Sequence, residues 1–320
     1  MGEFELIRHY FAAASCAQGG EGVVLGIGDD CALLELPAGE QLAVSTDTLV
    51  EGVHFPAACD PLLLGQRSLA VAVSDLAAMG ADPIGVTLAL TLPEVGAEWL
   101  RQYADGLNRM AHRCGVSLIG GDTTRGPLSL TVTVFGKVPA GQALRRSGAR
   151  PGDLLCVGGH LGNAAGALPL VLGQRQAPVE VAEPLLAHYW SPLPQLTLGR
   201  QLRGRATAAL DISDGLLADC GHIAKASGVA LEVDAERVPV SAVLEAFLGR
   251  EAALHAALTG GDDYVLAFTL PEAHLSSLPE PGVIHVIGRV REGQGVSLRD
   301  RQGQDITPTQ RGYQHFRETP

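Results

Sequence analysis

The chain has 320 residues, of which 46% are hydrophobic and 18% charged, a composition typical of a globular protein with one large domain or two ordinary ones. Lys and Arg total 23 against 35 Asp and Glu, so the formal net charge of −12 has the wrong sign for a nucleic acid partner. The richest apolar region, 69–92, is interrupted by Asp75, Asp82 and Pro83, which argues against a membrane span and a membrane partner. The first residues lack the pattern of a signal peptide, and we expect a cytoplasmic protein. The six cysteines form no CxxC pair, which indicates neither a zinc site nor a disulfide framework.

The first half of the chain alternates helix and strand patterns. Apolar spacing predicts a short amphipathic helix over 4–15, then two short strands over 32–36 and 41–45 that are joined by a turn. A long helix is predicted over 60–79, with Asp60 as its N-cap, Pro61 at its first position and Gly80 at its C-terminal end. The elements predicted next are strand 85–92, helix 97–114, and strands 116–119 and 128–138.

The polar segment 145–153 predicts a boundary between a domain over 1–148 and a domain over 149–320. The second half repeats the mixed pattern, with strands over 154–157, 206–210, 229–233, 265–270 and 283–290 and helices over 162–172 and 213–227. The polar tail contains Tyr313 and Phe316, so we expect it to dock on the fold. These patterns predict an α+β protein of two α/β lobes of similar size.

Aspartates follow glycine or hydroxyl residues in several loops and at several strand ends. They occur in GIGDD (26–30), STD (45–47), GGDT (120–123) and DISDG (211–215). A further carboxylate, Asp75, lies inside an apolar helix, where a charge is costly to bury without a cation. Oxygen atoms of carboxylates and hydroxyl groups are the ligands that Mg²⁺ prefers, and glycines allow a phosphate to approach the backbone. We therefore predict that these segments hold metal ions that bind a phosphate-bearing substrate to an acidic protein.

Each aspartate by itself also has an ordinary structural interpretation. Asp211 and Asp214 could cap the helix that follows them, because Asp is a preferred N-cap residue. Asp30 and Asp122 could make turn hydrogen bonds, and Asp75 could face solvent on the polar side of its helix.

Two common nucleotide-binding motifs are excluded. The chain has only two lysines, Lys137 and Lys225, and neither stands in a P-loop pattern. The glycines at 26 and 28 begin a dinucleotide fingerprint, but Cys31 occupies the position of its third glycine.

Nine segments, in this order, resemble the thiamine-monophosphate kinases, which belong to the ATP-binding superfamily of aminoimidazole ribonucleotide synthetase and selenophosphate synthetase. They are LGIGDDCALL (25–34), STDTLVEGVHF (45–55), SDLAAMGADP (74–83), VTLALTLP (86–93), LIGGDTTRGPLS (118–129), RSGARPGD (146–153), DISDGL (211–216), GGDDY (260–264) and GYQHF (312–316). The resemblance spans nearly the whole chain. It implies a two-lobed α+β fold with a dimer-forming sheet in the N-terminal lobe.

The resemblance also implies an activity: ATP-dependent phosphorylation of thiamine monophosphate to thiamine diphosphate by direct in-line transfer, in a homodimer and with several Mg²⁺ ions. Matched position by position, the implied metal ligands are Asp30, Ser45, Thr46, Asp47, Asp75, Asp122, Asp211 and Asp214. The implied ATP contacts are Gly121, Asp122, Arg146 and Ser213, with Asp47, Asp122 and Arg146 as catalytic residues. The implied substrate contacts are His54, Asp262 and Tyr313. Asp262 is a departure, because the family usually has glutamate there.

Phosphoryl transfer needs alignment and charge neutralisation more than covalent chemistry from the protein, and a phosphate acceptor needs no strong general base. A selenophosphate synthetase would need a lysine near a reactive cysteine, and Cys16 has none close in sequence. The alternative from another class is a sensor that binds nucleotide and metal without turnover.

Overall fold

The structure is a computed structural model that describes residues 3–278 and 283–313. The chain forms two compact units. The first takes in the described residues up to Leu76 together with Ala81–Ala143 and Trp190–Leu196; the second takes in Ala77–Gly80, Leu144–Tyr189 and the described residues from Thr197 onward. The predicted domain limits at 148 and 149 stay a prediction. None of the described helices combines the length and the apolar character that a bilayer crossing requires.

The first unit is built on a four-stranded sheet with two long helices. Its helices are α1 (Glu3–Leu6), which continues into a π-helical segment (Ile7–Ala12), then α2 (Pro61–Ala78) and α3 (Ala97–Cys114). Its strands are β1 (Val23–Leu25), β2 (Leu33–Leu34), β3 (Glu40–Val50), β4 (Asp82–Leu92), β5 (Ser117–Arg125) and β6 (Ser129–Pro139). The sheet order is β3-β6-β4-β5, with β4 and β5 parallel and the other pairs antiparallel.

Helices α2 and α3 pack with their backbones almost in contact. A Cβ atom on Gly106 would lie 2.0 Å from the carbonyl oxygen of Leu62, and one on Gly65 would lie 2.3 Å from that of Tyr103. The Tyr103 ring is fully buried, stacks against Trp99 and shares a hydrogen bond of 3.0 Å with Ser68. Glycine at these two positions therefore sets the distance between the helices.

The two strands predicted over 32–36 and 41–45 both form, and the turn between them is present, with the Glu40 N–H donating to the Pro37 carbonyl at 3.2 Å. They do not pair with each other, however. Strand β2 pairs with β1, whereas β3 runs to Val50 and pairs along its whole length with β6. Strand β6 is the longer partner and pairs with β3 at eleven positions, from Glu40 opposite Pro139 to Val50 opposite Ser129.

The second unit surrounds a six-stranded sheet of order β12-β9-β11-β7-β10-β8. Its strands are β7 (Leu154–Val157), β8 (Ala208–Asp211), β9 (Ala230–Asp234), β10 (Leu266–Leu270), β11 (His285–Arg291) and β12 (Gly295–Arg299). Its helices are α4 (Asn163–Val171), α5 (Val179–Trp190), α6 (Leu196–Leu202), α7 (Leu216–Ser227), α8 (Ala242–Leu248), α9 (Arg250–Thr259) and α10 (Glu272–Leu275). Every residue of β7, β8 and β10 is buried.

The sequence patterns missed five of these helices, α5, α6, α8, α9 and α10, and placed the start of α7 too early, at Ser213 instead of Leu216. Pro184 lies inside α5, where proline interrupts the pattern that normally identifies a helix. Residues 213–215 stay outside α7 because Gly215, the N-cap residue, has φ +127° and ψ +147°, which is not a helical conformation.

Strand β10 is antiparallel to both of its neighbours, and its register places Asp211 opposite Leu266 and Val157 opposite Ala267. The carboxyl ends of β7 and β8 and the amino end of β10 therefore meet at one edge of the sheet. The loops over 158–162, 211–215 and 260–264 leave the sheet at this edge, which gathers two of the predicted motifs.

Candidate active site

A cavity of about 1120 Å³ opens in the first unit. It is bounded by the π-helical segment, the glycine-rich loop after β1 and the middle of β5, and its lining includes Arg8, Asp29, Asp30, Gly121 and Asp122. Its size exceeds the roughly 300–1000 Å³ of common small-molecule pockets, so a nucleotide fits within it. Three predicted site residues, Asp30, Gly121 and Asp122, thus line one cavity.

Gly121 holds the close packing of β5 on β4. Its φ is +154°, and a Cβ atom there would lie 2.0 Å from the carbonyl oxygen of Leu88. Gly120, one residue earlier, would bring a Cβ atom only to within 3.5 Å of the Thr87 methyl group. The two glycines therefore differ: the backbone requires the second one, and the first leaves the strand surface open beside the cavity.

Asp75 faces strand β3 and accepts a hydrogen bond from the Ser45 hydroxyl. The interpretation of Asp75 as a solvent-facing helix residue is therefore wrong. Strand residues alternate between the faces of a sheet, so Ser45 and Asp47 share one face and Thr46 lies on the other. On that other face the Thr46 hydroxyl pairs with the Thr133 hydroxyl at 2.9 Å. A ligand role for the Thr46 side chain stays a prediction.

His54 lies in the turn after β3, half-buried, and its Nδ1 accepts the backbone N–H of Val50 at 3.0 Å. An imidazole nitrogen that accepts carries no proton, so the neutral ring has its proton on Nε2. The His54 N–H donates in turn to the Val50 carbonyl at 2.9 Å. The ring is thus held in place with its N–H donor at Nε2, which suits a residue that positions a substrate.

In the second unit, one buried carboxylate organises the DISDG loop. The N–H groups of Ser213, Asp214 and Gly215 all donate to Oδ2 of Asp219, each at 3.0 Å. Asp219 is 4% exposed, and burial raises the pKa of its carboxyl to about 7, although the N–H donors act in the opposite direction. The alternative interpretation, in which Asp211 or Asp214 is the N-cap residue of α7, is wrong, because that residue is Gly215.

The GGDDY loop and the tail attach to the same loop. The N–H groups of Asp262 and Tyr313 donate to the carbonyls of Ser213 and Asp214, each at 2.9 Å. Asp262 has φ +69° and its Oδ1 accepts the Tyr264 hydroxyl at 3.0 Å. The predicted residues Ser213, Asp214, Asp262 and Tyr313 are therefore neighbours. Phe316 lies outside the described residues.

Asp263 and Arg146 occupy contrasting environments in the second unit. The Asp263 carboxylate is buried and accepts the Gly162 N–H at 2.8 Å, at the start of α4. Burial raises its pKa well above the usual value. The predicted Arg146 side chain is exposed, and its backbone carbonyl accepts the Ser227 hydroxyl at 3.2 Å.

Arg8 and Asp219 are the residues that the motif patterns missed. Asp219 gave a usable signal, because it is a carboxylate in the apolar run LLADCGHI, which is the same argument that identified Asp75. Arg8 gave none, since it becomes part of the cavity only through the π-helical segment.

Across residues 3–278 and 283–313, no three His, Cys, Asp or Glu side chains stand close enough together to hold a metal ion. Mg²⁺ usually takes one or two carboxylates from a protein and fills its other positions with water and substrate phosphates, so the metal ligands named from the sequence stay a prediction. The donors present, carboxylates beside hydroxyl groups and glycine-rich backbone, are hard oxygen ligands that suit Mg²⁺.

Family models match both halves of the chain. The AIR synthase related protein N-terminal domain matches residues 28–138, and the C-terminal domain of the same family matches residues 150–301. Thiamine-monophosphate kinase of Salmonella typhimurium is 45% identical over 98% of this chain and 98% of its own length. The enzyme of Haemophilus influenzae is 39% identical over 100% of this chain and 99% of its own.

Solved structures agree. Thiamine-monophosphate kinase from Stenotrophomonas maltophilia is 47% identical, with a TM-score of 0.81 over 87% of this chain and 91% of its own. AaThiL complexed with AMPPCP and TMP is 30% identical, with a TM-score of 0.80 over 88% and 89%. The hydrogenase maturation protein HypE of E. coli, 23% identical with a TM-score of 0.75 over 97% and 98%, shares the fold. The chain belongs to the thiamine-monophosphate kinase family, within the AIR synthase related proteins.

Proposed function

We propose that this protein transfers the γ-phosphoryl group of ATP directly to the phosphate of thiamine monophosphate, giving ADP and thiamine diphosphate. The observation that carries the proposal is a 45% identity that covers 98% of both chains with a thiamine-monophosphate kinase. The complex of a family member with AMPPCP and TMP supports the pairing of nucleotide and acceptor.

In the first unit, the cavity is the proposed ATP site. Gly121 lets the backbone of β5 lie close to β4, and the loop over 26–32, which contains Asp30, lines the same cavity. We assign Mg²⁺ ligation to Asp30, Ser45, Thr46, Asp47, Asp75 and Asp122 here, and to Asp211 and Asp214 in the second unit. Bound Mg²⁺ would neutralise charge on the phosphates of both substrates.

In the second unit, Ser213 and Arg146 are assigned to the ATP phosphates and Asp262 and Tyr313 to thiamine monophosphate, with His54 of the first unit as a further substrate contact. The exposed Arg146 guanidinium can stabilise the charge on the transferring group. The acceptor oxygen already carries negative charge at neutral pH. The side chains therefore only need to align it with the γ-phosphorus.

The experiment is an assay of the purified protein with ATP, Mg²⁺ and thiamine monophosphate, with ADP and thiamine diphosphate both measured. We expect equal amounts of the two products and no reaction in EDTA. Nucleotide binding without turnover would contradict the proposal and support the sensor. With ATP made chiral at its γ-phosphorus, a single in-line transfer inverts the configuration; retention would indicate a phosphoenzyme and would contradict direct transfer.

We also propose that the protein is a homodimer that pairs through the first unit. Strand β3 is an edge strand of eleven residues, and its outer face exposes Leu42 and Val44, which are 45% and 53% accessible. A long edge strand that exposes apolar side chains invites association unless it is covered. Sedimentation of the wild type should give twice the monomer mass, and Val44→Lys should give monomers, whereas the exposed Val179→Lys in α5 should not. A monomeric wild type would contradict this proposal.

A further inference from the structure

The backbone of the loop over 213–215 forms hydrogen bonds to two sets of partners, one through its N–H groups and one through its carbonyls. Its three N–H groups point to one oxygen of Asp219, each at 3.0 Å. The carbonyls of Ser213 and Asp214 accept the N–H groups of two residues from distant segments, Asp262 and Tyr313, at 2.9 Å each. A shift of the loop must therefore move both of those segments.

We propose that Asp219 is a positioning residue for the acceptor substrate, which it serves by fixing the loop from which the backbones of Asp262 and Tyr313 are held. This inference rests on the proposed function, because it takes those two residues as substrate contacts. Asp219 itself is in the first turn of α7 and is buried, with 4% of its surface exposed. It acts through its hydrogen bonds and not by contact with substrate.

A carboxylate suits this task for a physical reason. Three N–H dipoles at the start of a helix converge on one oxygen atom, and an oxygen with negative charge accepts several such donors more strongly than a neutral one. An asparagine keeps one acceptor oxygen but loses the charge. A leucine keeps the size of the side chain and removes the acceptor. The two substitutions therefore weaken the same hydrogen bonds to different extents, asparagine in part and leucine completely.

The backbone around the loop does not tolerate easy rearrangement. Gly215 has φ +127°, and a Cβ atom there would lie 2.9 Å from the carbonyl group of Thr259. A Cβ atom on Gly261 would lie 2.3 Å from the carbonyl oxygen of Ser213. The segments are packed backbone against backbone, so loss of the Asp219 acceptor is transmitted to Asp262 and is not absorbed locally.

The test compares Asp219→Asn and Asp219→Leu with Asp153→Asn as a matched control. Asp153 is 6% exposed and accepts the Arg150 N–H and the Thr207 hydroxyl, so it is also a buried carboxylate that holds backbone in the second unit. We expect the KM for thiamine monophosphate to rise by about 10- to 100-fold in the Leu variant and by less in the Asn variant, the usual range for loss of an orienting partner. The control should lower thermal stability without changing this KM.

Hydrogen exchange of the backbone amides supplies a readout that does not depend on activity. Exchange at Asp262 and Tyr313 should quicken in Asp219→Asn and stay unchanged in Asp153→Asn. A folded variant with wild-type KM and wild-type exchange at these two amides overturns the inference, and so does an equal rise in KM in the control. If Asp219→Leu does not fold, Asp219→Asn decides the question. A wild type without kinase activity contradicts the proposed function instead, whatever the exchange data give.

Discussion

Gly120 and Gly121 are adjacent, but a methyl group would meet very different surroundings at the two positions. At Gly121 it would lie 2.0 Å from a backbone carbonyl oxygen, and at Gly120 it would make an ordinary contact of 3.5 Å. Only a substitution at Gly121 forces β5 away from β4 beside the cavity. The two substitutions therefore compare a position at which the backbone requires glycine with a neighbouring position at which it does not.

We expect Gly121→Ala to lower the free energy of unfolding by about 2 kcal/mol or more and to weaken binding of an ATP analogue, because the strain falls on the cavity wall. Gly120→Ala should change neither by much. Thermal unfolding and calorimetric titration with the analogue measure both effects. Equal behaviour of the two variants would show that the close approach at Gly121 does not shape the site.

Asp122 is the carboxylate that both lines the cavity and follows this glycine. We expect Asp122→Asn to lower kcat by about 100-fold or more, since an amide is a poor Mg²⁺ ligand, while the circular dichroism spectrum stays that of the wild type. Asp105→Asn, on the exposed side of α3, is the control. Wild-type turnover in Asp122→Asn would contradict its assignment as a metal ligand.

Helix α2 shows how much a local pattern can predict. Its start was expected at Asp60 and Pro61, and the Asp60 carboxylate does accept the Leu62 N–H at 2.8 Å. Helix α3 was likewise expected over 97–114 and is observed over Ala97–Cys114, ended by Gly115 at φ +65°. The Asp60 cap of α2 and the glycines that follow both helices, Gly80 and Gly115, are visible in the sequence, whereas the N-cap residue of α3, Gly96, makes no side-chain hydrogen bond.

We expect Asp60→Ala to lower the free energy of unfolding by about 1 kcal/mol, because it leaves an N–H group at the start of α2 without its side-chain acceptor. Asp60→Ser keeps an acceptor and should cost little. Urea unfolding of the two variants measures the difference. If both lose the same amount, the cap does not contribute to the stability of the helix.

Other elements depended on partners that a linear pattern does not reveal. Strand β2 pairs with β1 and not with its neighbour β3, a choice set by the long match between β3 and β6. The loop before α7 is held by Asp219, whose carboxylate accepts the N–H groups of residues 213–215. For the strand, a contact distant in sequence overrides the local preference; for the loop, the partner is a side chain four to six residues further along.

At the scale of the whole molecule, the net charge of −12 sets a condition on substrate binding. The cavity is lined by three carboxylates, Asp29, Asp30 and Asp122, so a free polyphosphate is repelled. We expect binding of an ATP analogue to weaken by about 100-fold or more when EDTA removes Mg²⁺. Calorimetry with and without EDTA measures this. Equal affinity would mean that the protein binds phosphates without metal ions.

The candidate site was predictable to the extent that its residues stand in compact motifs. Glycine followed by aspartate, or a hydroxyl residue followed by aspartate, identified the segments that contain Asp30, Asp122 and Asp214, whereas Asp262 was identified only through the family resemblance. The connection of the loop over 213–215 to Asp262 and Tyr313 was not predictable, because it consists of backbone hydrogen bonds between segments far apart in the chain.

Strand β10 lies between β7 and β8 in the sheet but follows both along the chain. The ribosome must therefore translate β10, which ends at residue 270, before Leu210 of β8 and Val157 of β7 can pair with Ala267 of that strand. Until then the two short and mostly apolar strands β7 and β8 leave the exit tunnel without this partner. Pairing between segments so distant in sequence makes folding slow and exposes the nascent chain to aggregation. The biogenesis of this unit thus depends on its last third being translated.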